Sequence, residues 1–520
     1  MGAGINLARY RFLVYTNPKS QIPFSKNNVN MTGISLDANH PQKRMPTLLK
    51  NFNVFGDDVS LIAKSLILNK LDQKQDILTQ FTDCFILRDH KIFKEDIWVR
   101  RDVQINGAFG IDFSQLQDHH DPNKDIQFVG EKLLKHGVTS FVPTIITSPV
   151  SYYHKILPKI KKTKIPDHRC ANVLGVHLEG PFINPSKRGI HQPEFIYKPS
   201  SISLPPLPQN GALTQQVPTV SHDRPLLYSS LTEVYGSGFD EPDSAPLIIT
   251  LAPEYVGADK VIEKLTREKG IRVSLGHSMA NLEQGEKGVE SGASFITHLF
   301  NAMLPFHHRD PGLVGLLTAC PHIFYGMITD GIHTNPAAIK IAQRTLPQGL
   351  VIITDAILTM GLDELPPSPN DKKTKKHPGN LERYHSVDES PVQHFTFGGQ
   401  DVIYSPGDKT AMSQQQTLAG GMTPFDACVQ YFKKSTGCTL VEALECSSLH
   451  AAQALGITTS KGCLDFGNDA DLVILDPDTL KVQGTVLGGK LAYQSNESSK
   501  LENRKRNIRE LDKNIKSHYI

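Results

Sequence analysis

The sequence predicts an α/β fold: a (β/α)8 barrel of the TIM type with a small β-sandwich-like domain. Three observations carry this expectation. Short runs that are apolar throughout recur along the chain, as in "NVLGVHLEG", "LIITLAPE", "IRVSLGHS", "ASFITHLFNA", "IFYGMITDGIHT" and "GLVIITDAI". They alternate with helical stretches such as "GADKVIEKLTREKG", the pattern of a parallel sheet covered on both faces. At 520 residues the chain is long enough for a closed barrel and an accessory domain, and with so many units closure is more economical than an open sheet.

Taken in order, residues 1–80 match no motif and are expected to be irregular. Residues 81–100, with the β-type run "TDCFILRDHKIFKEDIWV", and residues 461–495 are assigned to the small β domain. Residues 101–460 are assigned to the barrel. Two stretches, 197–245 and 363–390, are rich in Ser, Gly, Pro and Lys, lack periodicity and read as inserted surface loops. The cluster Lys372, Lys373, Lys375 and Lys376 reads as a solvated face of the second insertion, with polyanion binding as the alternative. "TPFDACVQYFKKSTG" and "TLVEALECSSLHAAQALG" read as helices, and "GCLDFGNDADLVILD" and "VQGTVLGGKLAYQ" as strands. Residues 496–520 form a polar tail.

Composition excludes several classes of function. A formal net charge of +2 gives no reason to expect nucleic acid as a partner. No apolar run approaches the roughly 20 residues of a membrane span. The seven cysteines form no CxxC pair, and their odd number suits reduced thiols rather than a disulfide framework. A cytoplasmic enzyme is the expectation. The alternative is an organellar presequence, since Arg9, Arg11 and Lys19 precede the first acidic residue, Asp37.

The chemistry is read from where polar groups fall. Glu179, His277, His298, Asp330, His333 and Asp355 each stand at or just after the C-terminal end of an apolar run. In a barrel those ends open onto one face, where active sites lie. Two imidazoles and a carboxylate converging there make the ligand set of a catalytic zinc-like site with a position left for water. Asp355 is then the group able to take a proton from that water and deliver it to a leaving amine. Singly each residue has a plainer reading: a hydrogen-bonded structural histidine, or a helix cap for Asp355 and a turn cap for Asp330. Random placement would seldom set them all at strand ends.

"HLEGPFI", "SLGHS", "THLFNAM", "DGIHT" and "TDAI" stand in the order found in N-acetylglucosamine-6-phosphate deacetylases, which this chain resembles from about Thr82 to about Gln494. The resemblance implies hydrolysis of N-acetylglucosamine 6-phosphate to glucosamine 6-phosphate and acetate in amino-sugar catabolism. It implies that Glu179, His277 and His298 hold the metal, that Asp355 is the acid/base, and that His191 in "RGIH" polarises the acetamide carbonyl. Sugar and phosphate contacts are implied for Asn301, the main chain of Ala302, and His333. Arg309 in "HHRDPG" resembles the arginine that reaches the 6-phosphate in the neighbouring subunit, which implies a homodimer. A surface ion pair with Asp310 is the plainer reading of Arg309. His307 and His308 receive no role, although His308 is near enough in sequence to line the pocket.

Two features distinguish this chain. Many amidohydrolases carry His-x-His on the first barrel strand and bind two metals, whereas here "DVQING" places Gln104 and Asn106. Neutral amides are poor ligands for zinc-like ions, so one divalent ion per chain is expected, zinc first, with iron, cobalt or manganese as alternatives. In addition, family members place about thirty more residues between the equivalents of "EDIWVR" and "DVQING", which Arg100 and Arg101 here join directly. Two charged side chains then fall where a buried strand is normally apolar. Either they are buried, or they stay at the barrel's lower rim and shorten the strand. Two rival functions remain: another amidohydrolase acting on an N-acyl or cyclic amide, and an inactive variant damaged at this junction.

Overall fold

The computed structural model describes residues 97–98, 100–116, 121–160, 169–197, 225–236, 239, 246–362, 393–405, 410–413, 417–462, 468–476 and 479–496. The readings made for residues 1–96, for the lysine cluster at 372–376 and for the tail beyond 496 lie outside these. Among the described residues no helix is long and apolar enough to cross a membrane, and the five described cysteines are free thiols.

Eight parallel strands form the barrel: β1 (Arg100–Ile105), β2 (Val138–Ile146), β3 (His177–Glu179), β4 (Ile248–Leu251), β5 (Arg272–Leu275), β6 (Phe295–Ile296), β7 (Phe324–Ile328) and β8 (Leu350–Ile353). They pair in sequence order from β1 to β8. Main-chain bonds from Asp355 N–H to Gln104 O (3.0 Å) and from Asn106 N–H to Ala356 O (2.7 Å) join the last strand to the first. All nine residues of β2 are buried, as a strand with side chains inside the barrel and under the helices must be.

The helices start where the sequence supplies caps. Asp121 accepts Asn123 N–H ahead of helix Pro122–Leu133, with proline in its first turn. Asn281 with Gln284, and Thr439 with Glu442, form capping boxes for Leu282–Glu290 and Leu440–Glu445. A separate unit, made among the described residues by Ile97–Trp98 and those from Ile457 on, contains a four-stranded antiparallel sheet: Ile97–Trp98, Leu472–Leu475, Val482–Leu487 and Lys490–Gln494.

The first insertion departs from its expected irregularity, because Tyr228–Tyr235 is a helix. Leu231, Val234 and Tyr235 are buried at i, i+3, i+4 spacing, a signal too short to stand out amid Ser and Pro. Tyr235 donates its hydroxyl to Gly180 O at 2.8 Å, so this helix supports the turn just after Glu179. After β8 the chain adds an unforeseen antiparallel meander, Gln393–Phe397, Gln400–Ser405 and Thr410–Ser413. Its first hairpin turns on Gly398 and Gly399, at φ 54° and 79°, the positive values that a two-residue hairpin loop demands. Phe395, Phe397, Val402 and Ala411 pack against Ile146, Ile190, Ile357 and Leu358.

At the junction of β1, burial is what occurs: Arg100 and Arg101 are both 0 % exposed within a full six-residue strand. Arg101 Nη1 donates to Ser448 O at 3.2 Å. Arg100 Nη1 makes only a long bond to His136 O, 3.4 Å, while its Nε and Nη2 find no acceptor among the described residues. Burial pulls the Arg100 guanidinium down to about 10, with Asp426 opposing the shift. Desolvating a guanidinium costs several kcal/mol, which one long bond and the charge of Asp426, itself already paired with His136, offset only in part. Arg100→Met is therefore expected to raise Tm in a thermal melt; a lower Tm would mean that Asp426 and the His136 carbonyl outweigh the desolvation.

Candidate active site

The barrel's C-terminal ends bring together Glu179, the last residue of β3, His277 and His298, each two residues beyond its strand, and Asp355, two beyond β8. His277, His298 and Asp355 take positive φ values of 48°, 27° and 48°, which non-glycine residues hold only when tertiary contacts enforce them. That strain turns the three side chains inward over the barrel mouth.

Glu179 Oε1 lies 3.1 Å from His277 Nε2 and 3.0 Å from His298 Nε2, and the two Nε2 atoms are 3.0 Å apart. All three residues are buried. His277 Nδ1 must donate to Lys187 O, 2.7 Å away, because a carbonyl can only accept. In neutral His277 the Nε2 lone pair therefore faces the carboxylate and the second imidazole, so that at most the single proton of His298 Nε2 is shared among three converging donor atoms. The donor set suits a divalent ion for that reason. Burial alone would push the Glu179 carboxyl up, yet the hydrogen bonds and charges of His277 and His298 hold it well below the usual range.

Gln104 in β1 and Asn106, the residue just after that strand, face the carboxylates. Gln104 Nε2 donates to Glu179 Oε1 (3.2 Å) and to Asp355 Oδ1 (3.1 Å), and Asn106 Nδ2 donates to Asp355 Oδ1 (2.8 Å). Burial, then the charge of Glu179, pushes Asp355 up to about 6. His191 accepts Thr147 N–H at Nδ1 (3.3 Å), with Thr147 Oγ1 at 2.7 Å, so its ring proton resides on Nε2. Burial first, and then His277, hold His191 well below its ordinary pKa, so it is a neutral donor. Its ring centroid lies 4.4 Å from that of His277.

Asp330 proves to be both a turn cap and a partner for His333. Its Oδ1 accepts Ile332 and His333 N–H (both 2.9 Å), and its Oδ2 lies 2.7 Å from His333 Nδ1. The charge of His333 weakly opposes the rise of the Asp355 carboxyl. Ala302, at φ 50°, accepts Ser278 N–H (3.1 Å) at its carbonyl. Asn301 Nδ2 and His333 Nε2 are buried without a partner among the described residues. Arg309 is not drawn into this cluster. It sits on the exposed loop after Asn301 beside Phe306, itself 63 % exposed. Asp310 does not pair with it: the Asp310 Oδ1 accepts from Leu282 N–H (3.0 Å) and Gly312 N–H (3.1 Å).

Sequence reasoning missed two supporting carboxylates. Glu254 stands at the end of the "LIITLAPE" run, where the strand-end criterion applies equally, and accepts from Asn184 Nδ2 (3.0 Å), Ser278 Oγ (2.6 Å) and Met279 N–H (2.7 Å). It ties the loop after Glu179 to the loop after His277. Asp102 lies inside β1, where no strand-end criterion would find it. Its Oδ2 accepts the Thr354 hydroxyl (2.5 Å) and its Oδ1 the N–H groups of Gln104 and Thr354 (3.4 and 3.3 Å). Burial raises its pKa to about 7 against those bonds.

Comparison with known proteins agrees with this architecture. The chain matches the amidohydrolase family over residues 112–492. It is 43 % identical to the N-acetylglucosamine-6-phosphate deacetylase of Rattus norvegicus, covering 81 % of this chain and 96 % of the relative. With the deacetylase of the same name from Homo sapiens it shares 42 % identity, over 80 % of this chain and 96 % of that one. Among solved structures, the N-acetylglucosamine-6-phosphate deacetylase of Thermotoga maritima superposes with a TM-score of 0.59 at 26 % identity, over 78 % of this chain and 90 % of that one. A barrel closed as described, with a buried Glu-His-His cluster at its C-terminal mouth and this degree of identity over most of its length, belongs to the N-acetylglucosamine-6-phosphate deacetylase family of amidohydrolases.

Proposed function

We propose that the chain hydrolyses N-acetylglucosamine 6-phosphate to glucosamine 6-phosphate and acetate, serving amino-sugar catabolism. The observation that carries the reading is the convergence of Glu179, His277 and His298 beside an Asp355 carboxylate oriented by two amides. Glu179, His277 and His298 would hold one divalent ion, zinc being the first candidate. Bound there, the ion supplies Lewis-acid activation of water and of the acetamide. Asp355 takes a proton from the attacking water and delivers it to the departing nitrogen as the C–N bond breaks, so that water's oxygen ends in acetate and both its protons end on the amine as its ammonium form. The elevated pKa of Asp355 in the bare site would be opposed by a bound cation, which keeps it ionised and able to act as base. Nε2–H of His191 donates to the carbonyl oxygen as negative charge develops on it.

Asn301 and His333 offer buried polar atoms that lack partners among the described residues, and sugar hydroxyls would satisfy them. The Ala302 carbonyl is already engaged, which leaves its N–H for the substrate. Arg309, on an exposed loop with an exposed phenylalanine, would serve the phosphate in a neighbouring subunit of a homodimer. A second metal is disfavoured because Gln104 and Asn106 spend their N–H groups on the carboxylates that would otherwise bind it.

Asp355→Asn is expected to lower kcat by about 10²–10⁴-fold while substrate still binds; near-normal turnover would remove Asp355 from the mechanism. Elemental analysis of purified protein should find close to one catalytic metal per chain, with activity lost on chelation and regained on adding a divalent ion. Two tightly held ions would contradict the role given to Gln104 and Asn106. Arg309→Ala should weaken the phosphorylated sugar by on the order of tenfold to a hundredfold, and unphosphorylated N-acetylglucosamine far less. Equal losses for both sugars would make Arg309 structural.

A further inference from the structure

Beneath the Glu-His-His cluster, the barrel interior contains a layer of polar side chains that the reaction does not use. Thr144 on β2, His177 on β3, Thr250 on β4 and Ser274 on β5 are buried, and Thr297, just after β6, joins them. Barrel interiors are usually filled by bulky branched apolar residues. Hydroxyls and an imidazole in that place are tolerated only when hydrogen-bonded.

Each of them is bonded to the next. Thr144 Oγ1 accepts Ile105 N–H from β1 at 3.1 Å and lies 3.3 Å from His177 Nδ1. His177 Nε2 is 2.7 Å from Thr250 Oγ1, which is 2.7 Å from Thr297 Oγ1, itself 2.5 Å from Ser274 Oγ. One direction of donation satisfies every link: Thr144 to Nδ1, Nε2–H to Thr250, Thr250 to Thr297, and Thr297 to Ser274.

The chain of bonds follows the strands that carry the cluster. His177 is two residues before Glu179, Ser274 three before His277, and Thr297 immediately before His298. Thr250 contributes nothing to the cluster yet is the link between His177 and Thr297. Packing around it is tight: a Cβ at Gly276, next to His277, would lie 2.6 Å from Thr297 Cβ and 3.2 Å from Thr250 Cγ2. We propose that His177 and Thr250 are positioning residues whose hydrogen-bonded layer holds β3, β5 and β6 at the spacing that lets Glu179, His277 and His298 grip one divalent cation. The inference rests on reading those three residues as metal ligands.

Thr250→Val keeps the shape of the side chain and breaks both bonds, whereas Thr250→Ser keeps the hydroxyl. The measurement is the affinity of chelator-stripped protein for Zn²⁺, by competition with a chromophoric chelator, alongside Tm. Thr250→Val should bind Zn²⁺ about tenfold to a hundredfold more weakly, the usual scale for residues that orient metal ligands, and Thr250→Ser close to wild type. Unchanged Zn²⁺ affinity in Thr250→Val, even with a lower Tm, would overturn the proposal by making the layer packing alone. Should Thr250→Val not fold, Ser274→Ala removes only the last acceptor and must show a loss of the same sign; wild-type affinity there would equally overturn it. Failure of wild-type protein itself to bind Zn²⁺ at the cluster would instead refute the metal reading beneath the proposal.

Discussion

The pairing of the eighth barrel strand with the first is the constraint on which the site depends. Asp355 N–H to Gln104 O and Asn106 N–H to Ala356 O turn a row of parallel strands into a closed barrel. Closure removes two open edges, and it also sets Gln104 and Asn106 directly across from the Asp355 carboxylate. Asp102 reinforces the same seam from within the strand by holding Thr354, the residue before Asp355. The acid/base candidate is thus oriented by Gln104 in β1 and Asn106 just after it, with Asp102 holding the neighbouring Thr354, although β1 supplies none of Glu179, His277 and His298.

Two carboxylates, Glu179 and Asp355, lie buried close enough for the charge of one to raise the pKa of the other. Each is compensated differently. Glu179 receives two imidazoles and one amide, and Asp355 two amides with His333 beyond. The difference holds the Glu179 carboxyl well below the usual range and leaves Asp355 raised to about 6, a contrast that suits the roles proposed for them. Holding His277, His298 and Asp355 at positive φ needs support from elsewhere. Lys187 O fixes the His277 ring, and Glu254 ties the loop after His277 to the loop after Glu179.

Elements beyond the plain barrel brace its mouth. The helix Tyr228–Tyr235, from a stretch of low complexity, reaches Gly180 through Tyr235 and packs edge-on against Tyr153, ring centroids 5.1 Å apart. The meander after β8 is fastened by Gly398, whose N–H bonds Asp112 Oδ2 (2.9 Å) and whose carbonyl accepts from Gln192 Nε2 (2.5 Å), the neighbour of His191. Both additions therefore touch residues adjacent to the chemistry.

The sequence by itself determined the barrel, because strands buried on both faces must be apolar throughout, and the alternation with helices follows from that. It also singled out Glu179, His277, His298 and Asp355, which the structure gathers at one mouth, since barrel geometry sends every strand end to one face, and a polar residue there stands out against its run. Tertiary structure alone decided what those residues lean on. Asp102, His177 and Thr250 lie inside strands, where a polar residue looks like an exception to the pattern until its partner on another strand is known. Glu254 was visible in principle, but its three donors come from loops far apart in sequence. The fate of Arg100 and Arg101 was equally undecided: local pattern permitted burial or exposure at the rim. Only the packing of β1 against β2, with Ser448 O and His136 O within reach, decided in favour of burial.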